Sequence, residues 1–114
     1  MLVRVWLAVV VLRETHNSLR RWAYEILRDS AILTPLGWLL LTEMAYRRLE
    51  AFRRKYLEKR GIEVVRLYRV GFKPEELLKL IKESREDDGD RWPEHIRNYV
   101  SKLEKELEEA TRKP

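Results

Sequence analysis

The sequence predicts a mainly α chain: one helical domain over residues 1–114, built as a bundle of about four helices, with a short extended segment at 62–70. Three observations predict it. Apolar residues recur at helical spacing through 3–29 and again through 38–56. Pro35, Pro74 and Pro93 each stand where a helix can open. The chain is 114 residues long and 45% apolar, enough to bury roughly two-thirds of its unfolded surface without staples.

The first element is the least settled. Val5, Ala8, Leu12, Thr15, Leu19, Trp22 and Ile26 follow a 3,4,3,4,3,4 spacing, which draws one face of a single helix from about residue 3 to 29. Five valines between Val3 and Val11 argue instead for a buried strand. In that alternative, residues 2–12 are a strand, a helix is capped near Asn17 or Ser18, and the fold is α+β. Neither Val5–Leu12 nor Ala31–Leu41 reaches the ~20 apolar residues that a membrane span needs. A soluble, cytoplasmic chain with no membrane partner is the expectation.

The second helix has Thr34 as N-cap and Pro35 in its first turn. Trp38, Leu41, Ala45, Leu49, Phe52 and Tyr56 form its apolar stripe, and Leu36, Leu39 and Leu40 make its start apolar nearly all round. Arg60 and Gly61 close it. Val, Ile and Tyr content makes Ile62–Val70 extended. Such a segment needs a partner: residues 2–12, another chain, or a second copy of itself. Pro74 with Glu75 and Glu76 opens a third helix whose apolar face is Leu77, Leu78, Leu80 and Ile81. It ends before a polar loop, Arg85 to Asp90. The last helix runs from near Pro93 to about Arg112, and Ile96, Val100, Leu103, Leu107 and Ala110 dock it on the others.

Several chemistries are excluded or thinly supported. There is no cysteine, so disulfides, thiolate metal sites and Cys nucleophiles are ruled out. Glu86, Asp87, Asp88 and Asp90 do not have the alternate-position spacing of a calcium loop. His16 and His95 stand far apart and read as surface or capping residues. There is no Gly-rich phosphate loop. No catalytic residue, metal or cofactor is expected, and the chain does not read as an enzyme. The absence of Gln and Cys, two Asn, and 16 Arg against 8 Lys suggest a thermophile.

The charge carries more information. The net charge is +5, yet residues 1–70 hold 14 basic and 7 acidic side chains, and residues 71–114 hold 10 and 12. Glu43 and Glu50 each precede an arginine by four residues, pairing Arg47 and Arg54. Arg48, Lys55 and Lys59 fall on one flank of the second helix, and Arg53 and Arg60 on the other. Arg20 and Arg21, with Arg28, form a second cluster beside Trp22 and Tyr24. Such rows can neutralise phosphates without reading sequence. The plainer reading is a solvated flank whose stems cover the core edge. Trp22 lies on the expected core face, while Tyr24, Tyr46 and Tyr68 are the aromatics expected to be exposed.

The Arg20–Arg28 segment, the Ile32–Leu41 run and the basic Arg47–Arg60 tract together resemble the small helical subunits of multisubunit CRISPR effector complexes. They cover about a third of the chain. The resemblance implies a non-catalytic subunit of an antiviral ribonucleoprotein, stacked along the belly of the complex. It also implies homotypic contacts, and basic side chains on the target or displaced strand. The extended Ile62–Val70 segment departs from an all-helical subunit. Two other classes stay open: a DNA-wrapping helical coat protein of a thermophilic archaeal virus, and a protein–protein adaptor that binds no nucleic acid. The expected partners are a nucleic-acid backbone, DNA or RNA, and other protein subunits.

Overall fold

The computed structural model describes residues 2–11, 17–60 and 63–112. The chain builds β1 (Val3–Val10), α1 (Asn17–Ser30), β2 (Ala31–Thr34), β3 (Gly37–Leu40), α2 (Glu43–Arg60), β4 (Val65–Phe72), α3 (Pro74–Asp88) and α4 (Glu94–Arg112), with a 3₁₀ turn at Gly89–Arg91. The strands form one antiparallel sheet in the order β2-β3-β1-β4. β1 and β2 therefore run parallel with β3 between them, and β3 and β4 run parallel with β1 between them. Two split β-α-β units interlock, which is the ferredoxin-like topology; α3 and α4 extend it.

The fold is thus α+β, and the mainly α bundle is incorrect. Its error begins in the first segment. Along β1, Trp6, Ala8 and Val10 pack against α1 and α2, while Val3, Val5 and Leu7 pack towards α3 and α4. A strand covered on both faces reads as an unbroken apolar run, and such a run accommodates a helical spacing by chance. The helix in this region starts only at Asn17, and Leu12, Thr15 and His16 lie outside the described residues.

The long second helix is corrected in the same way. Residues 31–40 are a hairpin, and α2 starts at Glu43. Thr34 and Gly37 pair across a two-residue turn. The Thr34 hydroxyl donates to the Gly37 carbonyl at 2.8 Å and accepts from the Leu36 amide at 3.2 Å. Proline suits the second position of a β-turn as well as it suits the first turn of a helix. Gly37 at φ +133° decides between them, and a Cβ there would meet the Ala8 carbonyl oxygen at 3.1 Å. The N-cap of α2 is Thr42, whose hydroxyl accepts from the Ala45 amide at 3.1 Å. Gly61, the expected cap, and Ile62 lie outside the described residues.

The extended segment finds its partner within the chain. β4 pairs with β1 from Val3↔Phe72 to Val10↔Val65. α3 continues to Asp88, through most of the polar loop expected at 85–90. Arg85 holds that end, bonded to Glu104 of α4 and lying 5.3 Å above the Trp92 ring. Buried Ser84 donates to the Leu33 carbonyl and ties α3 to β2.

Two cores result, one on each face of the sheet. Ala23 and Leu27 of α1 and Ala45, Leu49 and Tyr56 of α2 cover Ala8, Trp38, Leu40 and Val65. Leu77 and Ile81 of α3 and Ile96, Val100 and Leu107 of α4 share the other core with Leu7, Ile32, Leu39 and Phe72. Among the described residues, no helix is long and apolar enough to cross a membrane.

Candidate nucleic-acid interface

The sheet separates two helical layers of opposite charge. α1 and α2 carry ten basic and five acidic side chains, and α3 and α4 carry seven basic and eleven acidic. α1 and α2 lie antiparallel. At one end Arg48 Nη1 meets Asp29 Oδ2 at 3.0 Å, and at the other Trp22 packs on Tyr56 with ring centroids 6.5 Å apart. The antiparallel arrangement decides which predicted cations share a neighbourhood.

Arg20 and Arg21 line a groove of about 440 Å³ on α1, together with Tyr24, Glu25 and Arg28. The buried face of this helix is Ala23 and Leu27, with Leu19 and Ile26 at its edges. That phase turns Arg21 and Arg28 outwards. Neither is in an ion pair among the described residues. Tyr24, expected to be exposed, is half-buried against Trp38 at 6.1 Å.

Lys55 and Arg60 meet at the other half of the layer. Tyr56 is 5% exposed, with Phe52 5.0 Å from its ring. The Lys55 ammonium sits 5.7 Å and the Arg60 guanidinium 5.8 Å from the Tyr56 centroid. Trp22 completes this cluster from α1 and is 49% exposed. Lys59 belongs to α2, but its side chain lies outside the described residues.

Arg48 and Arg53 stand apart from this neighbourhood. The row Arg48, Lys55 and Lys59 has no acidic residue on it, yet α1 supplies Asp29 to Arg48. His95 of α4 joins them: its Nε2 lies 2.7 Å from the Asp29 carbonyl oxygen, to which it donates, and 3.4 Å from Oδ1. Arg53 binds Glu50 through two hydrogen bonds, at 3.0 and 2.7 Å, and Arg54 donates to the same carboxylate at 3.0 Å. The hydrogen bond from Arg53 holds the Glu50 carboxyl below the usual carboxylate range; burial opposes the shift and Arg54 assists it. The Glu50–Arg54 pair is present, whereas no ion pair joins Glu43 to Arg47 among the described residues.

Glu50 and Arg53 line a second groove of about 440 Å³ between α2 and the edge strand β4, with Tyr46, Trp6 and Tyr68. Tyr46 is stacked on Trp6 at 4.2 Å, and Arg69 lies 5.2 Å above Trp6. Tyr68 is 47% exposed. Among the described residues no cluster of three or more carboxylate or imidazole side chains could hold a metal ion.

Sequence periodicity placed Trp22 in the core, and the structure places it on the surface. The stripe drawn from Val5 through Ile26 includes Trp22, whereas the face of α1 that packs on the sheet is centred on Ala23 and Leu27, which leaves Trp22 at its edge. No family model, no curated protein and no solved structure matches the chain.

Proposed function

We propose that this chain is a non-catalytic subunit that binds nucleic acid through its backbone, without sequence readout, within a larger assembly. The supporting observation is the separation of charge by the sheet, with ten basic side chains on α1 and α2 and eleven acidic ones on α3 and α4. A polyanion is drawn to the first layer and repelled by the second. Arg20, Arg21 and Arg28 supply the phosphate contacts on α1, and Lys55 and Arg60 supply them on α2. Arg48 and Arg53 contribute less, because Asp29 and Glu50 already engage them. The proposal rests on this surface. It does not rest on the likeness to CRISPR effector small subunits, since Ile32–Leu41, one of the three segments carrying that likeness, supplies a hairpin. Leu33 and Leu36, exposed in that hairpin, are apolar side chains of the kind a subunit contact covers.

The test is fluorescence anisotropy of labelled oligonucleotides with the purified chain across a salt series. Binding is expected, with log K falling linearly against log salt at a slope of about −2 or steeper, which corresponds to three or more phosphates. No binding at low salt, or affinity independent of salt, overturns the proposal. Failure to bind DNA or RNA is the outcome that the adaptor reading requires.

A further inference from the structure

We infer that Trp22 is a base-stacking platform, and that the basic layer therefore takes single strands in preference to duplexes; this rests on the nucleic-acid reading above. Trp22 is a large aromatic side chain half exposed on the surface of α1. Trp38 and Trp92 are buried and Trp6 is half-buried under Arg69, so Trp22 is the most exposed of the four. Its inner neighbour is Tyr56, which is itself backed by Phe52 and flanked by Lys55 and Arg60. The indole thus packs at a tilt of 59° against a buried ring, centroids 6.5 Å apart, and keeps nearly half of its surface open to solvent. Arg21 precedes it on the outward face of α1, beside the groove lined by Arg20 and Arg28.

The chemistry of the partner follows from this combination. Exposed apolar aromatic surface alone suits many ligands, but cations on both sides restrict the choice to a polyanion. Among polyanions, an aromatic plate gains stacking energy only from a planar group that the ligand can present face-on. In a duplex the bases are stacked on each other and only their edges line the grooves. In a single strand each base can leave its neighbour and lie on the indole, while the flanking phosphates run over Arg20, Arg21 and Arg28 on one side and Lys55 and Arg60 on the other. Every base has a π-face, so this contact does not require sequence preference.

The experiment compares oligo-dT with a duplex of equal length, using the full chain and the variants Trp22→Ala and Trp22→Phe. Anisotropy reports affinity, tryptophan fluorescence reports stacking, and circular dichroism verifies that each variant folds. Oligo-dT is expected to quench the wild-type fluorescence. Trp22→Ala is expected to weaken oligo-dT binding about tenfold, the scale of one lost base–aromatic stack, and to leave duplex binding within about twofold. Trp22→Phe is expected to recover most of the loss, because the phenyl ring keeps a stacking face. If Trp22→Ala folds and binds oligo-dT as wild type does, or if bound oligo-dT leaves the fluorescence unchanged, the stacking role is overturned and salt-dependent binding still stands. If neither nucleic acid binds at low salt, the nucleic-acid reading fails and this inference fails with it.

Discussion

The helical layers on the two faces of the sheet have the same structural duty and opposite surfaces. Each buries an apolar stripe: Ala23, Leu27, Ala45 and Leu49 on one side, Leu77, Ile81, Ile96 and Val100 on the other. The inward faces answer to the sheet and are alike in chemistry. The outward faces are free of that constraint, and there the layers diverge. α1 and α2 leave arginines and an exposed tryptophan at the surface. α3 and α4 present a surplus of carboxylates, of which Glu104 engages Arg85 and Glu108 engages Lys82. What the difference teaches is where to look for function: in the part of a helix that packing leaves undetermined.

The comparison can be broken most severely in the two cores. Leu49 and Ile81 are both fully buried, one under each layer. Leu49→Ala and Ile81→Ala should each cost about 2–5 kcal/mol, read as a shift in the urea midpoint. A loss under about 1 kcal/mol for Ile81→Ala alone would mean that α3 and α4 are a loosely attached cover and not half of the fold.

Charge reversal separates the outward faces. Arg20→Glu, Arg21→Glu and Arg28→Glu together should lower oligonucleotide affinity by roughly 100-fold at low salt and flatten the salt slope by about 2. Lys79→Glu with Lys105→Glu on the acidic layer should leave affinity within about twofold, since both lie beyond the sheet from the bound strand. Equal losses from the two sets would show that only total charge matters.

A smaller effect tests the local neutralisation within α2. The folded Glu50 carboxyl is held below its ordinary value of 4.5 by Arg53. Stability from that contact is therefore present above the unfolded value and is lost as pH falls through the lowered one. Urea midpoints of wild type should fall more between about pH 6 and pH 3 than those of Glu50→Gln, which has no such proton to bind. Smallest is the end where the layers meet. Arg48 and Asp29 are both about half exposed. Arg48→Ala should change stability by no more than about 0.5 kcal/mol and oligonucleotide affinity by less than twofold.

The C-terminal helices and the stripe of α2 were legible along the chain. Pro74 and Pro93 mark their starts, and Ile96, Val100 and Leu107, or Ala45, Leu49 and Tyr56, lie on one side of one continuous element. A period of 3.6 can be read when no other period interrupts it. The error in the first 42 residues has two causes. The apolar runs Val5–Val10 and 38–40 pack side chains into both cores, so they lose the polar alternation that would announce a strand. Thr34-Pro35 offers the same signal to a helix and to a turn, and only the Gly37 conformation separates them. The candidate interface was half legible. Arg20, Arg21, Lys55 and Arg60 stand out as cations, but whether Arg48 or Arg53 already has a carboxylate depends on a neighbour such as Asp29, 19 residues away.

The sequence by itself determined the charge asymmetry between its two parts, the helical character of its C-terminal third and the extended character of the segment around Val65–Val70. Tertiary structure decided the rest. It chose β1 as the partner for β4, turned the asymmetry along the chain into opposite faces across a sheet, and moved Trp22 from the core to the surface. The physical reason is that a residue's burial depends on the phase of the element it belongs to. For α1 that phase is set by the face that packs on the sheet, Ala23 and Leu27, and that packing exists only in the folded chain.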